Sequence, residues 1–207
     1  MSAPPRPIRF YGFTISGHAH RVKLLLTMLG LPFEEIEVDL RGGAHKQPEY
    51  LAKNSFGQVP VIEDGDVTLA DSNAIMVYLA SKYDASGRWY PRDPAIAGEI
   101  QRWLSVAAGQ LAAGPSTARR TKIFAKKFDE NAQRIAHELL GVLQSHLAAR
   151  SFLVGDAPTI ADLALCTYTA HAPEGGVALE AYPAVRAWLE RVEALPGFVA
   201  MPRAATA

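Results

Sequence analysis

The chain of 207 residues has a single cysteine, no net charge and no long apolar run. With Cys166 alone, the sequence offers no intrachain disulfide, no dithiol redox pair and no cysteine-based zinc site. Its 21 basic residues balance 21 acidic ones, which argues against a dedicated nucleic-acid binder. No segment approaches the ~18 consecutive apolar residues of a membrane span. We therefore expect a cytoplasmic protein without nucleic-acid or membrane partners.

Common catalytic and cofactor-binding motifs are also missing. There is neither a G-x-G-x-x-G turn after the first predicted strand nor a P-loop, so the sequence supports no nucleotide site. A G-x-S-x-G nucleophile elbow is absent as well. His18 and His20 stand two residues apart, a spacing that does not place side chains together on a helix, so we predict no metal site. Residues 1–7 lack an apolar stretch and favour an extended lead-in over a signal peptide.

Hydrophobic periodicity divides the chain into two parts. The first part alternates short strand patterns with helical ones. Its predicted elements are a strand at 8–11, a helix over 17–29, a strand over 36–40, a hairpin of strands 59–63 and 67–69 turning at 64–65, and a helix capped by Ser72. This order predicts a small α/β domain over residues 1–84.

From Pro94 onward the pattern is helical only. The predicted elements are a helix that includes Trp103 and that Gly114-Pro115 interrupts or ends, a long helix through 135–147, a helix opened by a Thr159–Asp162 capping box, and a last helix over 183–195. Cys166 lies in an apolar helix and is predicted to be a core residue. An all-helical domain over 85–207 follows, joined by a linker at 83–94.

Polar groups collect where the first domain's predicted strands meet its helices. Ser16 directly precedes the first helix, where unsatisfied N–H groups and the helix dipole favour an anion, a thiolate included. Asp71 and Ser72 begin another helix, whose N–H groups can hold a carboxylate. The Val59-Pro60 bond at a strand entrance is a candidate for a cis peptide that turns the Val59 backbone toward a ligand.

Five motifs follow one another along the chain: SGHAHRV at 16–22, NSFGQVP at 54–60, EDGD at 63–66, ADSNAI at 70–75 and VGDAPTIADL at 154–163. This ordered set resembles the motifs of the cytosolic glutathione S-transferases, in particular the bacterial, theta-like, serine-type branch. The resemblance implies a thioredoxin-like first domain that binds glutathione, an all-helical second domain, and a homodimer. Phe56 stands where some relatives insert an aromatic side chain into the partner subunit.

The resemblance also implies roles for single residues. Ser16 matches the position whose hydroxyl donates to the glutathione sulfur, and Tyr11 is the alternative catalytic residue because other branches place a tyrosine there. The glutathione-binding positions are implied to be Ser16, His45, Gln58, Val59, Pro60, Asp71 and Ser72, with Lys46 beside them. His18 departs from the pattern, since bacterial relatives often have asparagine there.

The implied reaction is attack of the glutathione thiolate on a small apolar electrophile, without metal or nucleotide. For the electrophile pocket we predict Tyr11, Phe13, Ile15, Trp103 and Arg119, although Arg119 and Arg120 also fit a basic exposed face. A glutathione-dependent reductase, peroxidase or isomerase on the same scaffold remains an alternative. So does a non-catalytic binding protein.

Overall fold

The computed structural model describes residues 4 and 6–204, and it divides the chain into two compact units. The first unit takes the described residues up to Tyr90 together with Pro196–Pro202, and the second takes Pro91–Leu195 and the residues after Pro202. The lead-in predicted over residues 1–7 lies largely outside the described residues. The predicted domain boundary between residues 84 and 85 stays a prediction.

The first unit is a four-stranded sheet with three helices. The strands are β1 (Ile8–Gly12), β2 (Phe33–Glu37), β3 (Val61–Asp64) and β4 (Val67–Ala70), and the helices are α1 (Gly17–Met28), α2 (Pro48–Leu51) and α3 (Ser72–Tyr83). The strand order is β2-β1-β3-β4, with β1 parallel to β2 and the other pairs antiparallel. This βαβ unit followed by a hairpin and a helix confirms the thioredoxin-like first domain.

The second strand lies earlier in the chain than its alternating pattern predicted. The ladder with β1 ends at Glu37, and Val38 adds one more hydrogen bond from its N–H to the Gly12 carbonyl at 2.8 Å. Val38 is nonetheless buried, and Ile36 and Leu40 pack against the same apolar cluster. The alternating apolar residues 36, 38 and 40 thus pack on one side of the chain, although the strand pairing ends at residue 37.

Two turn positions also differ from prediction by one residue. The hairpin loop is Gly65-Asp66, because Asp64 still pairs with Val67, and Gly65 has the positive φ of +61° that glycine adopts without strain. Asp71, and not Ser72, caps α3 and accepts hydrogen bonds from the backbone N–H groups of Asn73 and Ala74, both at 2.9 Å. An aspartate cap leaves the Ser72 side chain buried in the first turn.

Asp64 joins the hairpin to α3 through a buried carboxylate. It accepts hydrogen bonds from the hydroxyls of Tyr78 and Tyr83, both at 2.7 Å, and from the Lys82 ammonium at 2.8 Å. Burial alone would raise the pKa of the carboxyl, but these donors outweigh it and hold the pKa below its usual value of 3.8. The cluster therefore stabilises the fold when Asp64 is ionised.

We expect Asp64→Asn to lower the free energy of unfolding at neutral pH by about 1–3 kcal/mol, because the charge-assisted hydrogen bonds are lost. A lowered carboxyl pKa contributes stability above the unfolded-state value, and this contribution disappears as the pH falls through the folded-state value. The difference between variant and wild type should accordingly shrink below about pH 4. Urea unfolding at several pH values measures it, with exposed Asp66→Asn as the matched control.

Among its described residues, the second unit contains helices and connecting loops but no strand. Its helices are α4 (Pro94–Val106), α5 (Thr117–Ala125), α6 (Glu130–Leu147), α7 (Ile160–Ala170) and α8 (Pro183–Glu193). The capping box of Thr159 and Asp162 is present at the start of α7, and Cys166 is buried within that helix, so both predictions are confirmed. Val142, an apolar residue of the long helix predicted through 135–147, is 59% exposed and lies outside the core.

Gly114-Pro115 does not end the helix that α4 begins. The chain continues from α4 through a π-helical segment, Ala107–Ser116, directly into α5. The wider turn accommodates Pro115, which has no N–H and would crowd the carbonyl four residues back in an α-helix. A Cβ on Gly114 would lie 2.8 Å from the Ala136 backbone nitrogen, so the glycine permits close packing on α6.

Candidate functional site

Strand register brings three distant segments to one edge of the sheet. Tyr11 pairs with Val61, and Val61 pairs with Ala70, so these residues form one row across β1, β3 and β4. Beyond this row, β1 leads toward Ser16, β3 is entered from Val59-Pro60, and β4 leads into Asp71 and Ser72. The three junctions singled out in the sequence therefore lie at the same edge, an arrangement that no local pattern contains.

Ser16 is the residue that caps α1. Its Oγ accepts a hydrogen bond from the Ala19 N–H at 3.3 Å, and its own N–H donates to the Phe13 carbonyl at 2.8 Å. Phe13 and Ile15 are half-buried in the segment that connects β1 to α1. The hydroxyl thus lies at the positive end of the helix with its proton available to a ligand. The helix dipole and the hydroxyl proton both favour an anion at this point.

The Val59-Pro60 peptide bond is cis, as the sequence predicted. It lies immediately before β3, whose first residue Val61 is fully buried. Asn54 and Tyr50 fix the preceding turn, since the Asn54 amide and the Tyr50 hydroxyl both donate to the Gln58 carbonyl, at 2.9 and 3.0 Å. Two side-chain hydrogen bonds to one carbonyl therefore hold the turn that leads into β3.

His45 and Lys46 lie in a short 3-10 turn packed on that same segment. The Lys46 ammonium donates to the carbonyls of Phe56 and Gly57 at 3.3 and 3.4 Å. Gly57 has a φ of +57°, and a Cβ there would lie 2.6 Å from the His45 carbonyl oxygen. The Nδ1 of His45 is buried without a hydrogen-bond partner, so a polar atom is available beside the turn that leads to Gln58.

Asp71 and Ser72 present the start of α3 at the shared edge. Asp71 is exposed and has a positive φ of +71°, which is uncommon for residues other than glycine. Its Oδ1 accepts two hydrogen bonds from the first turn, as described above. The cap uses neither the other carboxylate oxygen of Asp71 nor the N–H of Ser72. This junction can therefore bind an ammonium through the carboxylate oxygen and a carboxylate through the N–H.

Tyr11 is buried on the sheet face opposite Phe10, where it packs with Val38, Tyr50 and Val61. Its hydroxyl donates to the Glu63 carboxylate at 2.8 Å. Burial first, and then this hydrogen bond, raise the pKa of Tyr11 above its ordinary value. The phenol therefore stays neutral with its proton directed at Glu63.

Sequence reasoning missed Arg21, which is only 2% exposed in the second turn of α1. Its guanidinium donates to the Asn73 side-chain oxygen on α3 at 3.0 Å and contacts Nδ1 of His18. The signal was available: Arg21 falls on the buried side of α1 with Val22, Leu24 and Leu25 as neighbours. A long cation on such a face predicts a buried polar contact.

Trp103 and Arg119 lie inside the helical unit. Trp103 is 1% exposed, packs edge-on against His146, and has an indole N–H without a hydrogen-bond partner. Arg119 is 3% exposed and donates through Nε to Glu174 at 2.9 Å. The basic exposed face predicted for this pair of arginines is therefore wrong for Arg119, while Arg120 is exposed. The role of Trp103 and Arg119 in an electrophile pocket stays a prediction.

Over residue 4 and residues 6–204, no group of three or more histidine, cysteine, aspartate or glutamate side chains is placed to hold a metal ion. Within the same part of the chain, none of the helices combines the length and apolar character that crossing a bilayer requires.

Comparison with known proteins gives matches along nearly the whole chain. The families described as "Glutathione S-transferase, N-terminal domain" and "Glutathione S-transferase, C-terminal domain" match residues 6–81 and 107–196. Glutathione S-transferase 3 of Zea mays is 36% identical over 206 residues, which cover 93% of this chain and 91% of the relative. Glutathione S-transferase theta-2 of Mus musculus is 30% identical, covering 92% and 82%.

Solved structures agree with this result. A glutathione S-transferase from Pseudomonas fluorescens superposes with a TM-score of 0.89 at 32% identity, covering 95% of this chain and 99% of its own. A glutathione transferase homologue from Drosophila mojavensis, solved with bound glutathione, gives a TM-score of 0.83 at 30% identity, with coverages of 92% and 89%.

Proposed function

This chain belongs to the glutathione S-transferase family and is a glutathione transferase, and on that premise we propose that the Ser16 hydroxyl stabilises the thiolate of bound glutathione. The observation that carries the proposal is the position of Ser16 Oγ at the cap of α1, beside the first-turn N–H groups. The thiolate then attacks an electrophilic carbon, so that a carbon–sulfur bond forms while the electrophile's leaving group departs or its neighbouring atom takes a proton.

The chemical requirement is a lower thiol pKa. A free thiol with a pKa of about 8.5 is only a few per cent thiolate at neutral pH, and the thiolate is the nucleophile. A charge-assisted hydrogen bond of about 1.5–3 kcal/mol corresponds to a lowering of roughly one to two pKa units. One hydroxyl at a helix N-terminus is therefore sufficient for activation.

The rest of glutathione is proposed to follow the sheet edge. Asp71 and Ser72 take the γ-glutamyl end, since Asp71 offers its remaining carboxylate oxygen to the ammonium and Ser72 offers its N–H to the carboxylate. The Val59 backbone, next to the cis bond to Pro60, is proposed to pair with the cysteinyl amide. His45, Gln58 and Lys46 receive the glycine carboxylate. The bound glutathione of the Drosophila mojavensis homologue supports a binding site in this fold.

Several finer assignments complete the proposal. We assign the chain to the theta-like, serine-type branch, because Ser16 is free to act while the Tyr11 proton is directed at Glu63. We assign a glutathione-binding domain to residues 1–84 and the helical electrophile-binding domain to 85–207. A cytoplasmic homodimer, with Phe56 at the subunit contact, is also proposed, and the 78% exposure of that side chain is consistent with it.

We expect Tyr11→Phe to leave the pKa of the bound thiol within a few tenths of a unit of the wild-type value, since the phenol is neutral and engaged with Glu63. Retention on immobilised glutathione establishes binding, and the ultraviolet absorbance of the thiolate against pH measures its pKa. Turnover of a chromogenic electrophile then separates an enzyme from a binding protein. A thiol pKa that rises by a full unit in Tyr11→Phe would transfer the catalytic role from Ser16 to Tyr11.

A further inference from the structure

A buried arginine connects the first turns of the two helices that begin at the shared sheet edge. Arg21 on α1 is 2% exposed, and its guanidinium donates to Asn73 on α3 at 3.0 Å. The same guanidinium contacts Nδ1 of His18, which is the second residue of α1. Asn73 directly follows Ser72 and receives the Asp71 cap at its own N–H, so the bridge ends within the proposed γ-glutamyl site.

His18 is adapted to accept this contact as a neutral ring. Burial, together with the neighbouring Arg21 charge, lowers the pKa of His18 to about 3. The imidazole is therefore uncharged at neutral pH, and Nδ1 carries a lone pair that accepts a hydrogen bond from the guanidinium. His18 thus supports the Arg21 guanidinium from the first turn of α1.

We propose that Arg21 is a positioning residue for the glutathione site, which holds the start of α1 in register with the start of α3 and adds a buried positive charge to the two helix ends. The inference rests on the proposed function, because it needs one glutathione to contact Ser16 and the Asp71–Ser72 junction together. Arginine keeps its charge at every physiological pH, and removal from water extends the range over which that charge acts.

The bridge and the charge have separable consequences. Misplacing one helix end relative to the other weakens glutathione binding, since the ligand must satisfy both ends in one geometry. Losing the charge destabilises the thiolate relative to the thiol, because a buried unit charge is screened less than one in water. Lysine in place of arginine keeps the charge but loses the planar fork that reaches His18 and Asn73 together.

The test compares Arg21→Met, Arg21→Lys and Asn73→Ala with wild type, using calorimetric affinity for glutathione and the ultraviolet titration of the bound thiol. We expect all three variants to bind glutathione about tenfold more weakly. The thiol pKa should rise by about one unit in Arg21→Met and by no more than a few tenths in Arg21→Lys. Arg186→Met, which removes an exposed arginine from the helical unit, is the matched control and should equal wild type in both measurements.

Failure of the two proposals can be told apart. Wild-type protein that does not lower the thiol pKa of bound glutathione contradicts the proposed function itself. Wild type that lowers it, with folded Arg21→Lys and Asn73→Ala binding glutathione as tightly as wild type, overturns the role of Arg21 alone. Since Asn73→Ala removes an acceptor of the Arg21 guanidinium and leaves the arginine in place, it tests the bridge even where Arg21→Met does not fold.

Discussion

Ser16→Ala should raise the pKa of the bound glutathione thiol by about one to two units and lower kcat/KM near neutral pH by about 10- to 100-fold. The alanine removes the donor that the proposed mechanism places at the sulfur, while the helix end still contributes part of the stabilisation. Glutathione affinity should change much less, because most of its proposed contacts lie elsewhere along the sheet edge. Thiolate absorbance against pH and steady-state turnover of a chromogenic electrophile measure the two effects.

The activity defect of Ser16→Ala should depend on pH in a definite direction. A raised thiol pKa moves the rise of activity to higher pH, so the defect of Ser16→Ala should be greatest below neutrality and should shrink once the pH exceeds the new value. Ser16→Thr, which keeps a hydroxyl at the cap, should retain most activity. Ser81→Ala removes an exposed serine of α3 and controls for the substitution itself. Equal thiol pKa values in Ser16→Ala and wild type would remove Ser16 from the mechanism.

The substitution also has a structural cost, which must be measured separately. The Ser16 hydroxyl caps α1 through its bond to the Ala19 N–H, and loss of such a cap costs about 1 kcal/mol. That loss lowers the unfolding free energy without shifting the pKa of a bound thiol. A Ser16→Ala protein that is folded and binds glutathione therefore reports the catalytic effect alone.

Asp162→Ala should lower the free energy of unfolding of the helical unit by about 4 kcal/mol. The carboxylate is fully buried and accepts hydrogen bonds from the Leu153 N–H at 3.0 Å, the Thr159 N–H at 2.9 Å and the Trp188 indole at 2.9 Å. Alanine would leave all three donors buried without acceptors, each at a cost of about 1–3 kcal/mol. Urea unfolding followed by tryptophan fluorescence and far-ultraviolet circular dichroism measures the loss.

Asparagine separates the hydrogen bonds from the charge at this position. Burial raises the pKa of the Asp162 carboxyl although its hydrogen bonds act in the opposite direction, so ionising the group carries a cost that a neutral amide avoids. Asp162→Asn keeps one oxygen acceptor and should lose about half as much stability as alanine. Asp156→Ala, at an exposed loop position, is the control. A loss below about 1 kcal/mol in Asp162→Ala would show that water or rearranged backbone satisfies the donors.

Local patterns were informative where the physical cause is local. Apolar periodicity located α1 and the long helix α6, and the Thr159–Asp162 spacing predicted the capping box, because each depends on residues within a few positions of one another. The same reasoning placed β2 too late and left open whether Gly114-Pro115 interrupts or ends a helix, where a π-helical segment interrupts the α-helix without ending it. Both outcomes depend on distant parts of the chain, through the burial of Val38 and the close approach of α6 at Gly114.

The order of strands and helices, the polar residues at the junctions and the family to which they point can all be read from the residues along the chain. Which of these residues meet follows from the folded arrangement: the Tyr11–Val61–Ala70 row carries three junctions to one sheet edge, and Arg21 reaches across to Asn73. The fold also directs the hydroxyl proton of Tyr11 to Glu63. The Ser16 hydroxyl, in contrast, accepts the Ala19 N–H and keeps its proton available for a ligand. Strand register and the burial of a charge are long-range properties, since they are set by pairing and packing between segments that no local pattern connects.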